Sequence, residues 1–153
     1  MSRAEITFRE GRPDDVIPMW KIDQACFDAQ TAYTVDIFYF HLLVGRAPAF
    51  VAEDSKKKIV GFVLCAVEKK KTGTIVTIDI VEGLRGKGIG RELMRLAEKA
   101  LRGRGVARIE LQTAVENEAA IKFYESLGYA RGKKLPDYYA AGRDAFQYDK
   151  KSE

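Results

Sequence analysis

Two rhythms of apolar residues run along this chain, and the change from one to the other marks its elements. Residues 74–81, T-I-V-T-I-D-I-V, are rich in Ile, Val and Thr, which predicts a buried strand. The run breaks at Glu82 and Gly83 into a loop with four glycines in eight residues. From Ile89 the spacing turns helical. Ile89, Leu93, Leu96, Ala97, Ala100 and Leu101 recur three and four apart, leaving Arg91, Glu92, Arg95, Glu98 and Arg102 on the outer face, as in an amphipathic helix.

The same reading extends in both directions. Ile6 and Phe8 suit a short first strand, and Gly11-Arg12-Pro13-Asp14-Asp15 is a helix-start signal. Val16, Ile17, Trp20, Ile22 and Phe27 then line a first helix that tolerates Pro18 in its opening turn. Thr34 can cap a second helix carrying Val35, Phe38, Leu42 and Leu43, with Phe38 in the core and Tyr33 and Tyr39 either packed or lining a groove. Residues 49–53 and 59–67 predict a hairpin around Asp54-Ser55-Lys56, and a second turn at 69–73 leads into the central strand. Gly103-Arg104-Gly105 stops the long helix. Residues 106–113 form the next strand, so strand, helix and strand make a crossover unit whose two strands run parallel. Asn117 and Glu118 open a further helix with Ala120, Phe123, Tyr124 and Leu127 on one face, ended by Gly128.

The loop delivers the chain onto a helix N-terminus, where unpaired N–H groups and the helix dipole favour an anion. Glycine permits close backbone approach and positive φ, and Arg85 and Lys87 add charge, so a diphosphate is the expected ligand. Two better-known phosphate loops fit poorly. Gly83 and Gly88 have the Walker spacing, but Ile89 and Gly90 follow where Lys and Ser/Thr are required, and Arg91 stands where the dinucleotide fingerprint needs its third glycine.

Composition narrows the setting. A chain of 153 residues, 46% hydrophobic and 31% charged, suits one domain, 1–153, with one core. No apolar run approaches the ~20 residues of a membrane span, and the polar start MSRAEITFRE is unlike a signal peptide, so a cytoplasmic protein without membrane association is expected. Cys26 and Cys65 stand 39 positions apart among apolar residues and His41 is the only histidine, which predicts reduced thiols and no metal. The net charge of +4 raises nucleic acid as a partner. Yet Lys56–Lys58 and Lys69–Lys71 sit in turns without interleaved aromatics, so no nucleic acid is expected, and the mild basic bias suits an anionic cofactor.

Arg85-x-x-Gly88-x-Gly90 after a strand resembles the acetyl-CoA pyrophosphate loop of the GNAT N-acetyltransferase superfamily. Residues 117–129, N-x-x-A-I-x-F-Y-x-x-x-G-Y, are similar to its other hallmark, in the right order. Asp137-Tyr138-Tyr139, Gly142-Arg143-Asp144-Ala145 and residues 33–41 look like the N-terminal protein acetyltransferases, including the ribosomal-protein-alanine type. The resemblance covers nearly the whole chain. It implies an α/β fold, the GNAT fold, with a mixed sheet of six to seven strands, about four helices, and splayed parallel strands 4 and 5.

It also implies roles for particular residues. Acetyl-CoA would be held by Arg85, Gly86, Lys87, Gly88, Ile89, Gly90 and Arg91, by the backbone of Ile80, Val81 and Glu82, and by Asn117, Ala120 and Phe123. Tyr124 would be the general acid, since a phenol of pKa ~10 is protonated at neutral pH and can donate to a thiolate of pKa ~8.5. Tyr33, Tyr138 and Tyr139 would border the substrate. Two glutamates that relatives use as base fall at Gln112 and Thr31. Glu110, on the strand face of Gln112 but ~6.6 Å along it, is the stand-in, with Asp79, Glu53 or a water chain as others. A weak base favours an α-amine, partly neutral at pH 7 with pKa ~7.8, over lysine at ~10.4. The implied acceptor is a protein or peptide N-terminus, reached by direct attack in a ternary complex of a monomer or homodimer. A small amine, a lysine side chain, or a non-catalytic acyl-CoA-binding module are the alternatives.

Overall fold

The computed structural model describes residues 5–29, 31–68 and 71–151. Lys69 and Lys70 of the expected lysine turn, and residues 1–4 of the polar start, lie outside them. The strands are β1 (Thr7–Glu10), β2 (Ala49–Glu53), β3 (Ile59–Glu68), β4 (Thr72–Ile80), β5 (Arg108–Ala114), β6 (Ala130–Ala140) and β7 (Arg143–Lys151). The helices are α1 (Val16–Cys26), α2 (Val35–Tyr39), α3 (Ile89–Gly103) and α4 (Glu118–Ser126). One sheet orders the strands β1-β2-β3-β4-β5-β7-β6. Every neighbouring pair is antiparallel except β4–β5, joined by the α3 crossover. This is the expected mixed sheet with parallel fourth and fifth strands.

Both faces of the sheet are covered, which is why β3 reads as an unbroken apolar run rather than an alternation. Val63 and Cys65 join the core beneath α3 and α4 with Leu93, Leu101 and Tyr148, while Phe62 and Leu64 join the second core beneath α1 and α2 with Met19 and Phe38. Phe38 meets Phe62 edge-on, centroids 5.7 Å apart. No helix among the described residues is long and apolar enough to cross a membrane.

Three placements depart from the sequence pattern. Glu98, read as outward, is buried: its carboxylate accepts from Tyr129 Oη at 2.8 Å and Lys150 Nζ at 3.1 Å. Ile17, read as inward, is exposed. The second helix is α only through Tyr39; Phe40–Val44 is a π-helical turn, with Gly45 N–H donating to Phe40 O at 2.9 Å. The wider turn changes the phase of the face, so Leu43 is exposed.

The pairing of β4 carries the feature that makes a site. Leu64 pairs Thr77 but Cys65 pairs Ile75, leaving Val76 as the extra residue of a bulge. Val76 and Thr77 therefore both face α1: Val76 packs on the second core and Thr77 Oγ1 donates to Asp23 of α1 at 3.3 Å. The slip also turns Asp79 to that face and Ile78 and Ile80 to the opposite one.

Candidate active site

β4 and β5 pair only at Thr72–Arg108, Gly73–Ile109 and Thr74–Glu110. Beyond Thr74 they part, while β5 continues with β7 on its other edge and β4 with β3. A cavity of about 720 Å³ opens between them, lined along β4 from Ile75 to Ile80 and on β5 at Gln112, Thr113 and Ala114. An unpaired strand edge inside a cleft offers backbone donors and acceptors to an extended ligand.

One end of the cavity is the glycine loop. A 3-10 turn at Glu82–Leu84 ends β4, then Gly86 (φ 76°) and Gly88 (φ 85°) turn the backbone through the left-handed region into α3. A Cβ built on either would meet nothing within 4 Å, so glycine is needed for the conformation, and the space beside it is open. Gly88 provides no side-chain cap, leaving the first amides of α3 to an anion. Gly90 has a different reason: a Cβ there would lie 3.2 Å from Phe123 Cζ, so its absence lets α4 dock on α3.

α4 forms the wall facing β4. Asn117 Oδ1 accepts from Ala120 N–H at 3.1 Å as N-cap, which leaves its amide NH₂ as the donor a ligand can use. Tyr124, 8% exposed, lines the cavity. Burial first, then the nearby Asp79 and Tyr33, push its phenol above the usual range, so it stays protonated at neutral pH. The other end lies between the α1–α2 loop and the β6–β7 hairpin. Thr31 and Tyr33 come from the first and Tyr139 from the second, tied by Arg143 Nη2 to Asp28 at 2.8 Å and Arg143 Nε to Glu116 at 3.3 Å.

An open strand gap with an anion cradle at one end and a neutral buried phenol inside is suited to a long phosphorylated acyl carrier. Residues 16–129 match the Acetyltransferase (GNAT) family. The chain belongs to that family. N-alpha-acetyltransferase 30 of Schizosaccharomyces pombe is 39% identical over 104 residues, covering 65% of this chain and 69% of that protein. An N-alpha-acetyltransferase of Sulfurisphaera tokodaii is 30% identical over 154 residues, covering 93% and 90%. The ribosomal-protein-S18-alanine N-acetyltransferase of Escherichia coli superposes with a TM-score of 0.83 at 25% identity, covering 97% of this chain and 94% of that one. This GNAT chain is an acyltransferase whose cofactor is acetyl-CoA. The cradle, the open strand edge and the space above Gly86 and Gly88 fit that group.

The GNAT cavity collects many of the residues expected from sequence. Ile80, Arg85, Gly86, Gly88, Ile89, Gly90 and Arg91 line it, as do Asn117, Ala120, Phe123, Tyr124, Tyr33 and Tyr139. Lys87, Val81 and Glu82 are not in its lining, and Val81 N–H donates to Val60 O at 2.9 Å. Arg85 lies at the edge, but its Nε donates to Ile80 O at 3.0 Å and its Nη2 faces Cys26 Sγ at 3.3 Å. Tyr138 is outside the lining, its hydroxyl 3.4 Å from Gln112 Oε1.

Glu110 is not brought to the cavity, which corrects its placement as the stand-in base. It sits where β4 and β5 are still paired, opposite Thr74, and its carboxylate forms an ion pair with Arg108 of its own strand. Glu53 is likewise elsewhere, on β2 with Arg9. Asp79 does line the cavity. Beside it lie two residues that the sequence reading did not single out, Thr77 and the fully buried Asp23. Asp79 was marked by being a lone Asp in a run rich in Ile, Val and Thr, whereas no local pattern marks Asp23 and Thr77, which matter through their contact with it.

Proposed function

We propose that this chain transfers the acetyl group of acetyl-CoA to the α-amine of protein or peptide N-termini, in a ternary complex. The observation that carries the reading is the two-ended gap between β4 and β5. A cofactor laid along the parted strand with its diphosphate at Gly86–Arg91 leaves the opposite end, between Tyr33 and Tyr139, for the acceptor. The two relatives above, named as N-alpha-acetyltransferases, support the choice of amine.

When bound, acetyl-CoA supplies an acyl group activated as a thioester. The amides at the start of α3 hold the diphosphate, and Asn117 and the free edge of β4 orient the arm. Tyr124, kept neutral by burial, donates a proton to the leaving sulfur, a role worth ~10²-fold or more in rate. The deciding experiment incubates the protein with acetyl-CoA and peptides bearing either a free α-amine or only a free lysine, and locates any added mass. Acetylation confined to the α-amine is the expected result; acetylation of lysine alone, or of neither peptide, overturns the reading.

A further inference from the structure

We propose that the carboxyl pair Asp79 and Asp23, joined through Thr77 on the β4 side of the cavity, binds the incoming α-ammonium and accepts its proton. The inference rests on the N-terminal acetyltransferase reading and names the base that Gln112 and Glu110 do not supply.

Asp23 has a structural explanation and Asp79 has none. Asp23 Oδ2 accepts Tyr33 N–H at 2.8 Å and its Oδ1 accepts from Thr77 Oγ1 at 3.3 Å, fastening the α1–α2 loop to the sheet. Asp79 has a long 3.5 Å contact with Thr77 through Oδ1 and the carboxyl of Asp23 beside it, and its Oδ2 is buried with no donor facing it. A carboxyl 3% exposed whose nearest charged neighbour is another carboxyl and whose second oxygen has no donor is a stability cost. It stands in the wall of the cavity between β4 and β5, on the strand that parts from β5.

Among the groups facing Asp79 the cation is Arg85, which lowers its pKa by charge but makes no hydrogen bond to it. α1 presents Asp23 and Cys26, β4 presents Thr77, the α1–α2 loop presents Tyr33, α4 presents Tyr124, and the loop after β4 presents Arg85. Arg85 is turned to Ile80 O and Cys26 Sγ. Burial, followed by the hydrogen bond and charge of Asp23, raises Asp79 well above the carboxylate range. Two carboxyls this close resist ionising together, so the pair tends to hold one proton between them.

A substrate ammonium supplies the direct contact that Arg85, held on Ile80 O and Cys26 Sγ, does not make. Its arrival releases the shared proton to solvent, and one N–H proton of the ammonium then moves onto the pair, leaving a neutral amine. The nitrogen forms the C–N bond as the thioester C–S bond breaks. One of its two remaining hydrogens ends on the sulfur by way of Tyr124, and the other stays in the amide. A carboxylate raised in pKa is the stronger base and is better matched to an amine of pKa ~7.8.

The test uses wild type and Asp79→Asn, acetyl-CoA, an α-amine peptide, and an analogue ending in a hydroxylamine, which is neutral at pH 7. For Asp79→Asn, kcat/KM on the peptide should fall about 10²-fold or more, with the acidic limb of the pH profile altered and coenzyme A affinity unchanged. The loss should be much smaller on the neutral analogue. Independently of turnover, calorimetry in buffers of different ionisation heat should show wild type with coenzyme A releasing about one proton per peptide bound near pH 7, as the shared-proton state requires. A variant within a few-fold of wild type, an equal loss on both acceptors, or peptide binding without proton release overturns the inference. If wild type acetylates no α-amine at all, the functional reading has failed, and the inference falls with it.

Discussion

The ring of Phe123 occupies the space that a side chain on Gly90 would fill, with Cζ 3.2 Å from the position of the missing Cβ. The glycine loop and the Asn117 helix are thereby two parts of one joint, and the cavity wall depends on how closely α4 approaches α3. Gly90→Val should force the helices apart and lower stability by about 1–3 kcal/mol, read from the urea midpoint. Adding Phe123→Leu should recover part of that loss. An unchanged midpoint in Gly90→Val would show that α4 is not held by this contact.

Gly88 acts through conformation. At φ 85° with open space around its Cβ position, a residue with a side chain meets backbone strain of ~1–2 kcal/mol, and a large one also fills the cradle. Gly88→Trp should retain the circular dichroism of the fold and lose the calorimetric signal for coenzyme A. Gly88→Asn, which tolerates the left-handed region, should keep much more of the affinity.

Removing the Tyr124 hydroxyl tests the proton donor apart from the wall it belongs to. Tyr124→Phe keeps the ring that packs 5.4 Å from Phe123 and 6.2 Å from Tyr129, so coenzyme A affinity should hold while kcat falls about 10²-fold or more. Because burial raises the phenol, wild type should show no alkaline limb from Tyr124 below its ordinary pKa of ~10. A wild-type rate surviving unchanged in Tyr124→Phe would reduce the residue to packing.

Asp79 should also be visible in stability. Its carboxyl is raised by burial and then by Asp23, so between the ordinary carboxylate pKa of ~3.9 and the raised one the folded chain holds a proton that the unfolded chain has lost. Stability contributed by this group is therefore full below the ordinary pKa and declines as pH rises through the window. Asp79→Asn should flatten the fall in melting temperature from mildly acidic to neutral pH relative to wild type. Parallel curves for the two proteins would show that Asp79 titrates normally.

Short-range signals carried much of the site. Glycine punctuation and the Asn117 cap are local chemistry, fixed within a turn or two of chain, so the loop, α3 and α4 begin and end close to where the sequence puts them. Glu98 was misplaced because helical spacing reports only which residues share a face. It cannot report that Tyr129 and Lys150, 31 and 52 positions later, arrive to satisfy a carboxylate there. Glu110 was misplaced because a shared strand face does not say where along β5 the neighbouring strand has left.

The residue pattern by itself determined the alternation of strands and helices, the crossover that makes β4 and β5 parallel, the glycine loop at the start of α3 and a following helix with Tyr124 on its inner face. Only tertiary structure decided where the two strands part and which carboxyl stands in the gap. A single unpaired residue, Val76, shifts the register of β4 and so exchanges the faces of everything after it. That shift depends on hydrogen bonding to β3, a partner that no window of sequence around Asp79 contains.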